Sequence, residues 1–274
     1  KLDKVLGVQF AGGAPTGSII QQKRLITGKG KARRMEQFGI GNDKLFNCMR
    51  AVAQGGAMYG SRVVGIPDQL LQQLTTTMRG GFGGSKKSGS AYVDFESRGA
   101  TLHPAYRANS DILLRWAKEV YMQGEGIANM ATMDDLTRAW ARQVHRVRLS
   151  ARPWTMVAGP AGAVTATLRR IGWRAVSATR WMDAGREVID LCKTGRDQLL
   201  YKINDATRRT LWESASIRGR AGTDVTGLWW EPMRAACRRE HGNAYRAILS
   251  GKIMTNVRLQ AAGYSTTDRC SACS

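Results

Sequence analysis

Thr132-Met133-Asp134-Asp135-Leu136-Thr137-Arg138-Ala139-Trp140-Ala141-Arg142-Gln143-Val144-His145-Arg146-Val147-Arg148-Leu149 varies at the pitch of an α-helix. Leu136, Trp140, Val144 and Val147 return at intervals of three and four, so they share one side. Arg138, Arg142, Arg146 and Arg148 lie opposite them. Thr132 stands three residues before Asp135, the spacing of a capping box, and a helix N-terminus favours the two acids that follow Met133. The stretch is therefore predicted to be helical from its first turn. The same pattern fills most of the chain and sets the fold class as mainly α.

Working towards the C-terminus, Gly159-Pro160 punctuates, and Val164, Leu168 and Ile171 mark another helix that stops at Gly172. Residues 173–181 and 186–192 then alternate and are rich in Trp, Val, Ile and Thr, with Asp183-Ala184-Gly185 between them. That pattern predicts a small β-hairpin near 173–192. Helical spacing returns over 195–215, 228–240, 242–251 and 253–262. Towards the N-terminus, 104–122 is amphipathic, while 80–90 is rich in Gly, Ser and Lys and reads as a flexible loop. Pro67 suits a first helical position, and Leu70, Leu71, Leu74 and Met78 form an apolar stripe behind it. Asn42 can cap a helix bearing Leu45, Met49 and Val52, which Gly55-Gly56 should weaken. Residues 18–38 look helical but interrupted at Gly28 and Gly30, and residues 4–10 read as one short strand.

Charge narrows the function. The 274 residues carry 42 Lys and Arg against 21 Asp and Glu, a net charge of 42 − 21 = +21. Such an excess attracts polyanions. Basic residues recur along the whole chain instead of clustering beside one apolar segment, which favours nucleic acid over a membrane surface. No run approaches the ~18 apolar residues of a membrane span, and the N-terminus lacks the order of a signal peptide. The densest basic segment holds Lys23, Arg24, Lys29, Lys31, Arg33 and Arg34, with no acid until Glu36.

Catalytic constellations are harder to find. Asp134-Asp135 supplies paired acids, but its capping position gives it a structural reading. Tyr92-Val93-Asp94-Phe95 has Phe where a second metal-binding acid would stand, and reads as a short strand or loop. In Gly80-Gly81-Phe82-Gly83-Gly84-Ser85-Lys86-Lys87-Ser88 the Ser precedes the Lys, which breaks the phosphate-loop order. His103, His145 and His241 are far apart and read as surface or packing residues. Cys48, Cys192 and Cys237 are isolated, the pattern of small apolar residues and not of a disulfide scaffold. Cys270 and Cys273 form a Cys-x-x-Cys, half of a tetrahedral zinc site that needs two further ligands. Lys1 leads at once into the apolar Val5-Leu6-Gly7-Val8-Gln9-Phe10, and only Ser274 follows the Cys pair, as expected of a piece of a longer protein.

Several of these stretches, taken in order, resemble the reverse transcriptases of non-LTR retrotransposons, most closely the large dinoflagellate-type elements. The resemblance lies in Leu6-Gly7-Val8, the basic helical segment 18–38, Met58-Tyr59-Gly60 and the helix 67–79. It continues through Pro153-Trp154, Gly159-Pro160, Gly172-Trp173 and Trp230-Glu231-Pro232-Met233. It closes on Arg258-Leu259, Gly263-Tyr264 and Cys270-Ser271-Ala272-Cys273.

The resemblance implies a region C-terminal to the polymerase palm. Residues 1–80 would hold the palm exit strand and thumb-like helices, 81–100 a flexible Gly/Ser/Lys loop, 101–262 a helical connection region, and 263–274 the start of a truncated zinc motif. The parent would be an intracellular, nuclear RNA-directed DNA polymerase. Its catalytic aspartates and their Mg would lie upstream of residue 1, so no catalytic residue is carried over, and its zinc would need ligands beyond Ser274. The implied partners are RNA and DNA as a template–primer, held by Lys23, Arg24, Lys29, Lys31, Arg33 and Arg34 first and Arg138, Arg142 and Arg146 second, with Cys270 and Cys273 as metal ligands. The alternative is a stand-alone basic RNA-binding protein of an organellar ribosome or splicing complex, which explains the charge equally well.

Overall fold

The computed structural model describes residues 3–5, 8–10, 19–37, 42–80, 90–99, 101–126, 132–217 and 230–237, with single positions at 244, 245, 260 and 263. The chain divides into two units, Lys1–Lys86 with Thr101–Ser214, and Lys87–Ala100 with Ala215–Ser274.

The first unit is mainly helical. It opens on two short antiparallel strands, β1 (Asp3–Val5) and β2 (Val8–Phe10), with Val5 opposite Val8 and Asp3 opposite Phe10. The single strand expected over 4–10 is thus two. Alternation survives a chain reversal, so periodicity alone cannot tell one strand from a tight pair.

Helix α1 (Ile19–Gln37) runs without a break through both glycines. Gly28 is buried, and a β-carbon there would stand 3.0 Å from Ala53 Cα. The missing side chain lets a second helix approach; it does not end the first. That neighbour is α2 (Asn42–Met49), a π-helical turn (Arg50–Gln54) and α3 (Gly55–Ala57) in continuous succession. Leu45, Met49 and Ala53 face inward, and Gly55-Gly56 carry the helix on where weakening was expected. The short α4 (Ser61–Val64) leads through Gly65 and Ile66 into α5 (Asp68–Gly80), where Leu70, Leu71, Leu74 and Met78 are buried on the predicted stripe.

The larger core of this unit gathers around α7 (Pro104–Gly124), α8 (Met133–Leu149), α9 (Pro160–Arg170) and α10 (Arg196–Ile217). Helix α8 starts as its sequence requires. The Thr132 hydroxyl accepts from Asp135 N at 3.2 Å, and Asp135 Oδ2 accepts from Thr132 N at 3.0 Å. Leu136, Trp140 and Val147 are buried, and the Trp140 ring lies 5.6 Å from that of Trp116. Helix α9 ends where Gly172 turns left-handed (φ +75°), which lets Trp173 N reach back to Leu168 O at 2.8 Å.

The predicted hairpin is a three-stranded antiparallel sheet: β3 (Arg174–Ala175), β4 (Arg180–Met182) and β5 (Val188–Asp190), in that order. Its inner face presents Ala175, Trp181 and Ile189, which stand in register and are buried. Trp116 Nε1 donates to Ala178 O at 2.8 Å and fixes the β3–β4 turn to α7.

In the second unit, α6 (Ala91–Glu96) and α11 (Trp230–Cys237) are described. The strand or loop expected over 92–95 is instead a turn and a half of helix, capped by the Ser90 hydroxyl accepting from Val93 N. Glu96 is buried and pairs with Arg234 Nη2 at 2.8 Å, while Arg234 Nε donates to Glu96 O. Residues 81–89, and nearly all of those expected as helices over 242–262, lie outside the described residues.

Candidate nucleic-acid interface

A helix turns ~100° per residue, so exposure along α1 maps its faces. Gln21, Leu25 and Gly28 form the packed side, spaced four and three residues apart. Gln21 is held there, with its Nε2 donating to Gly65 O at 2.9 Å. Lys23 and Arg34 lie within roughly 20° of each other on the opposite side, with Lys31 and Arg33 roughly 80° to either flank. All four are exposed. Arg24 and Lys29 are half-buried at the two borders of the packed face. The cations singled out in the sequence thus surround three sides of one helix whose fourth side is fixed to the protein.

Their pairing differs. Lys23, Lys29, Lys31, Arg33 and Arg34 make no ion pair with any described carboxylate. Arg24 is engaged. Its Nη1 donates to Tyr59 O at 3.2 Å, and its guanidinium carbon stands 4.6 Å from the centre of the Tyr59 ring. Tyr59 belongs to this basic face, although its position after a helix gave no such signal in the sequence. Only the fold brings residues 24 and 59 together.

On α8, Arg138, Arg142 and Arg146 are exposed on the side away from Leu136, Trp140 and Val147. Arg138 is tethered within its own helix, with Nη2 2.7 Å from Asp135 Oδ1. Arg142 and Arg146 have no described acidic partner. Near the end of α8, Arg169 reaches over from α9, its Nη1 donating to Ser150 O at 2.6 Å and Arg148 O at 3.2 Å. A cation at that terminus complements the helix dipole. These two basic faces belong to different helical layers: α1 packs on α2, the π-helical turn and α3, whereas α8 packs on α9.

Among the arginines, Arg170 has a different role, which sequence spacing could not reveal. Its side chain is mostly buried and pairs with Asp68, Asn109 and the Ile66 carbonyl. Burial pulls its pKa below the ordinary value, while the Asp68 carboxylate works in the opposite direction. Arg170 joins α9 to α7 and to the start of α5, so it is a structural cation and not part of an open surface.

Asp134 and Asp135 do not present a paired metal site. Asp135 Oδ2 receives Thr132 N and the Thr132 hydroxyl, and Oδ1 receives Arg138. The Thr132 hydrogen bonds and the Arg138 guanidinium hold its carboxyl down at about 2. Among the described residues no group of three or more His, Cys, Asp or Glu is placed to hold a metal ion. Cys270 and Cys273 lie outside the described residues. Among the described residues, Cys48, Cys192 and Cys237 form no disulfide. No described helix is long and apolar enough to cross a membrane.

No protein-family model matches this chain, nor does any curated protein or solved structure.

Proposed function

We propose that this chain is a nucleic-acid-gripping region of the thumb-and-connection type, similar to the part of a retrotransposon reverse transcriptase that holds the template–primer behind the palm. The observation that carries the reading is the cationic face of α1. Five cations there have no described acidic partner, and the opposite face of the helix is anchored by Leu25 and by the close approach at Gly28. Phosphate contacts position a duplex without reading its sequence, and lysines and arginines on a rigid helix are suited to that task. Lys23 to Arg34 spans eleven residues, or ~16 Å at ~1.5 Å each. A duplex carries one charge per ~1.7 Å of axis, so about nine or ten phosphate charges would lie alongside. The ordered series of motifs supports a reverse-transcriptase origin. No catalytic residue is assigned, because the resemblance puts the polymerase aspartates outside this chain and Asp135, one of the two adjacent acids, is committed to a helix cap and to Arg138.

The test is the salt dependence of binding to an RNA–DNA hybrid. Affinity is expected to fall steeply with salt and to change little with sequence. Replacing Lys23, Lys31, Arg33 and Arg34 by Gln should reduce the slope of log K against log salt by about 0.9 for each phosphate that is no longer neutralised. An unchanged slope would remove α1 from the interface. The origin is tested by the flanking coding sequence, which should encode an aromatic-x-Asp-Asp motif upstream and a His and Cys soon after Ser274.

A further inference from the structure

The basic face of α1 has an exposed aromatic neighbour, Tyr59. Tyr59 is 52% exposed, yet its backbone is firmly held. Tyr59 N donates to Gly56 O at 3.3 Å and Ser61 N to Met58 O at 3.0 Å; Gly60 between them is left-handed (φ +82°). Met58 and Ser61 on either side are buried, so the segment is anchored while the ring looks out. Arg24 lies over that ring and also bonds the Tyr59 carbonyl, which fixes the ring against α1. Lys23 is exposed next to Arg24. Arg62, three residues beyond Tyr59, keeps 64% of its side chain exposed, and the Asp111 carboxylate stands 3.9 Å from its Nη2.

An exposed tyrosine is unremarkable alone. A rigidly held ring among cations is what a single nucleic-acid strand requires. Its bases stack on aromatic side chains while lysines and arginines take the backbone. An intact duplex offers phosphates and base edges but no open base face except at its ends. The cations alone therefore do not distinguish paired from unpaired nucleic acid, whereas the ring does.

We infer that Tyr59 is a stacking platform for an unpaired nucleobase, with Lys23 and Arg62 meeting the adjoining phosphates. This rests on the nucleic-acid reading of α1 and sharpens it: the site takes the single-stranded part of its ligand. Such a platform reads a base face, which RNA and DNA strands share.

The experiment uses the whole chain with short RNA and DNA strands carrying 2-aminopurine, and with a blunt RNA–DNA hybrid. Stacking should quench 2-aminopurine on binding, in either strand type, and the stronger quench identifies the preferred sugar. Tyr59→Leu should weaken single-strand binding about 5- to 150-fold, the range for removal of one base–aromatic stack. The salt slope should stay unchanged, and hybrid binding should move less than about twofold. Tyr59→Phe should bind like the parent, and Arg62→Gln should lower the single-strand slope by about 0.7. Absence of quenching in both strand types, or equal weakening of single strand and hybrid by Tyr59→Leu, would overturn the inference. Failure of the cationic reading itself looks different: neither ligand would bind with a steep salt dependence.

Discussion

The guanidinium carbon of Arg170 stands 4.4 Å from the centre of the Trp154 ring, while Arg170 Nε reaches Asp68 Oδ1 at 2.6 Å. One side chain thus joins four segments of the first unit: α9, the 3₁₀ turn at Pro153–Met156, the entry to α5 and, through Asn109, α7. Asn109 extends the chain of bonds, its Nδ2 donating to Thr207 on α10 at 3.0 Å. A cation buried in this way is stable only while its partners remain, and Arg supplies the planar fork that several acceptors need at once.

Arg170→Met should therefore destabilise the first unit by about 3 kcal/mol, since it strips the Ile66 carbonyl, Asn109 and Asp68 of their donor. Arg170→Lys should recover only part of this, because a lysine cannot bond all three acceptors or stack flat on the indole. Thermal or urea unfolding checks both variants. Equal stability of Lys and Arg at this position would show that charge alone matters there.

Trp154 meets the chain again at Gly65. That residue has φ +68° and ψ −167°, a conformation essentially confined to glycine. A β-carbon there would stand 2.6 Å from Trp154 Cζ3 and 3.1 Å from Ala163 Cβ. Gly65→Ala should cost more than ~3 kcal/mol, combining backbone strain with displacement of the indole. Gly126→Ala is the control. It also has a positive φ (+67°), but a β-carbon would meet nothing within 4 Å, so it should cost only the backbone part, about 1 kcal/mol. Chemical denaturation of the two variants separates strain from crowding.

What could be read in advance was local. The capping box at Thr132, the stripe on α5 and the end of α9 at Gly172 each depend on residues a few positions apart, and each stands where the spacing puts it. Arg138, Arg142 and Arg146 of α8 also lie on the side away from its apolar stripe. Reversals and distant approaches were not legible. Residues 173–181 fold back at Ser177-Ala178-Thr179, where no Gly or Pro marks a turn, so one expected strand is two. Gly28 reads as an interruption until Ala53 is seen against it. Arg170 looks like any other basic residue beside Arg169, because Asp68 is 102 positions away. Tyr59 joins the basic surface only through Arg24, 35 positions before it.

The α8 cap gives a prediction confined to one helix. The Thr132 hydroxyl accepts from Asp135 N, and the Asp135 carboxylate takes the Thr132 backbone N–H. Thr132→Ala removes one half of that exchange and should cost ~1 kcal/mol, whereas Thr132→Ser should be nearly silent. Asp135 titrates at about 2 in the fold against an ordinary 3.8, so its contribution is complete above 3.8 and disappears as pH falls through about 2. Hydrogen exchange at the first turn of α8 should rise in the Ala variant and in strong acid, leaving the amides of α9 unaffected. If Thr132→Ala left that first turn as protected as before, the cap would not be holding it.

His103 is expected to make the fold sensitive to milder acid. It precedes Pro104 at the head of α7, buried, with its Nδ1 accepting from Ala105 N at 3.2 Å. A nitrogen that accepts must be unprotonated, and burial holds the imidazole neutral by lowering its pKa from 6.5 to about 3. The unfolded chain takes up a proton below ~6.5 while the folded one does not until about 3. Stability from this group is thus whole above 6.5 and is lost progressively as pH falls towards 3. Other carboxylates also titrate in the lower part of that window, so the parent alone cannot isolate the effect. His103→Asn keeps a side-chain acceptor at the cap and removes the titration. Melting temperatures of the two proteins should approach each other as pH falls from about 7 to about 4.5, with the parent losing more. Parallel curves would mean that His103 already carries its proton in the fold, or that the unfolded chain does not gain one there. Converging curves would identify the neutral imidazole at the head of α7, the helix that carries Ile112, Leu113 and Trp116 into the core, as a source of the acid sensitivity.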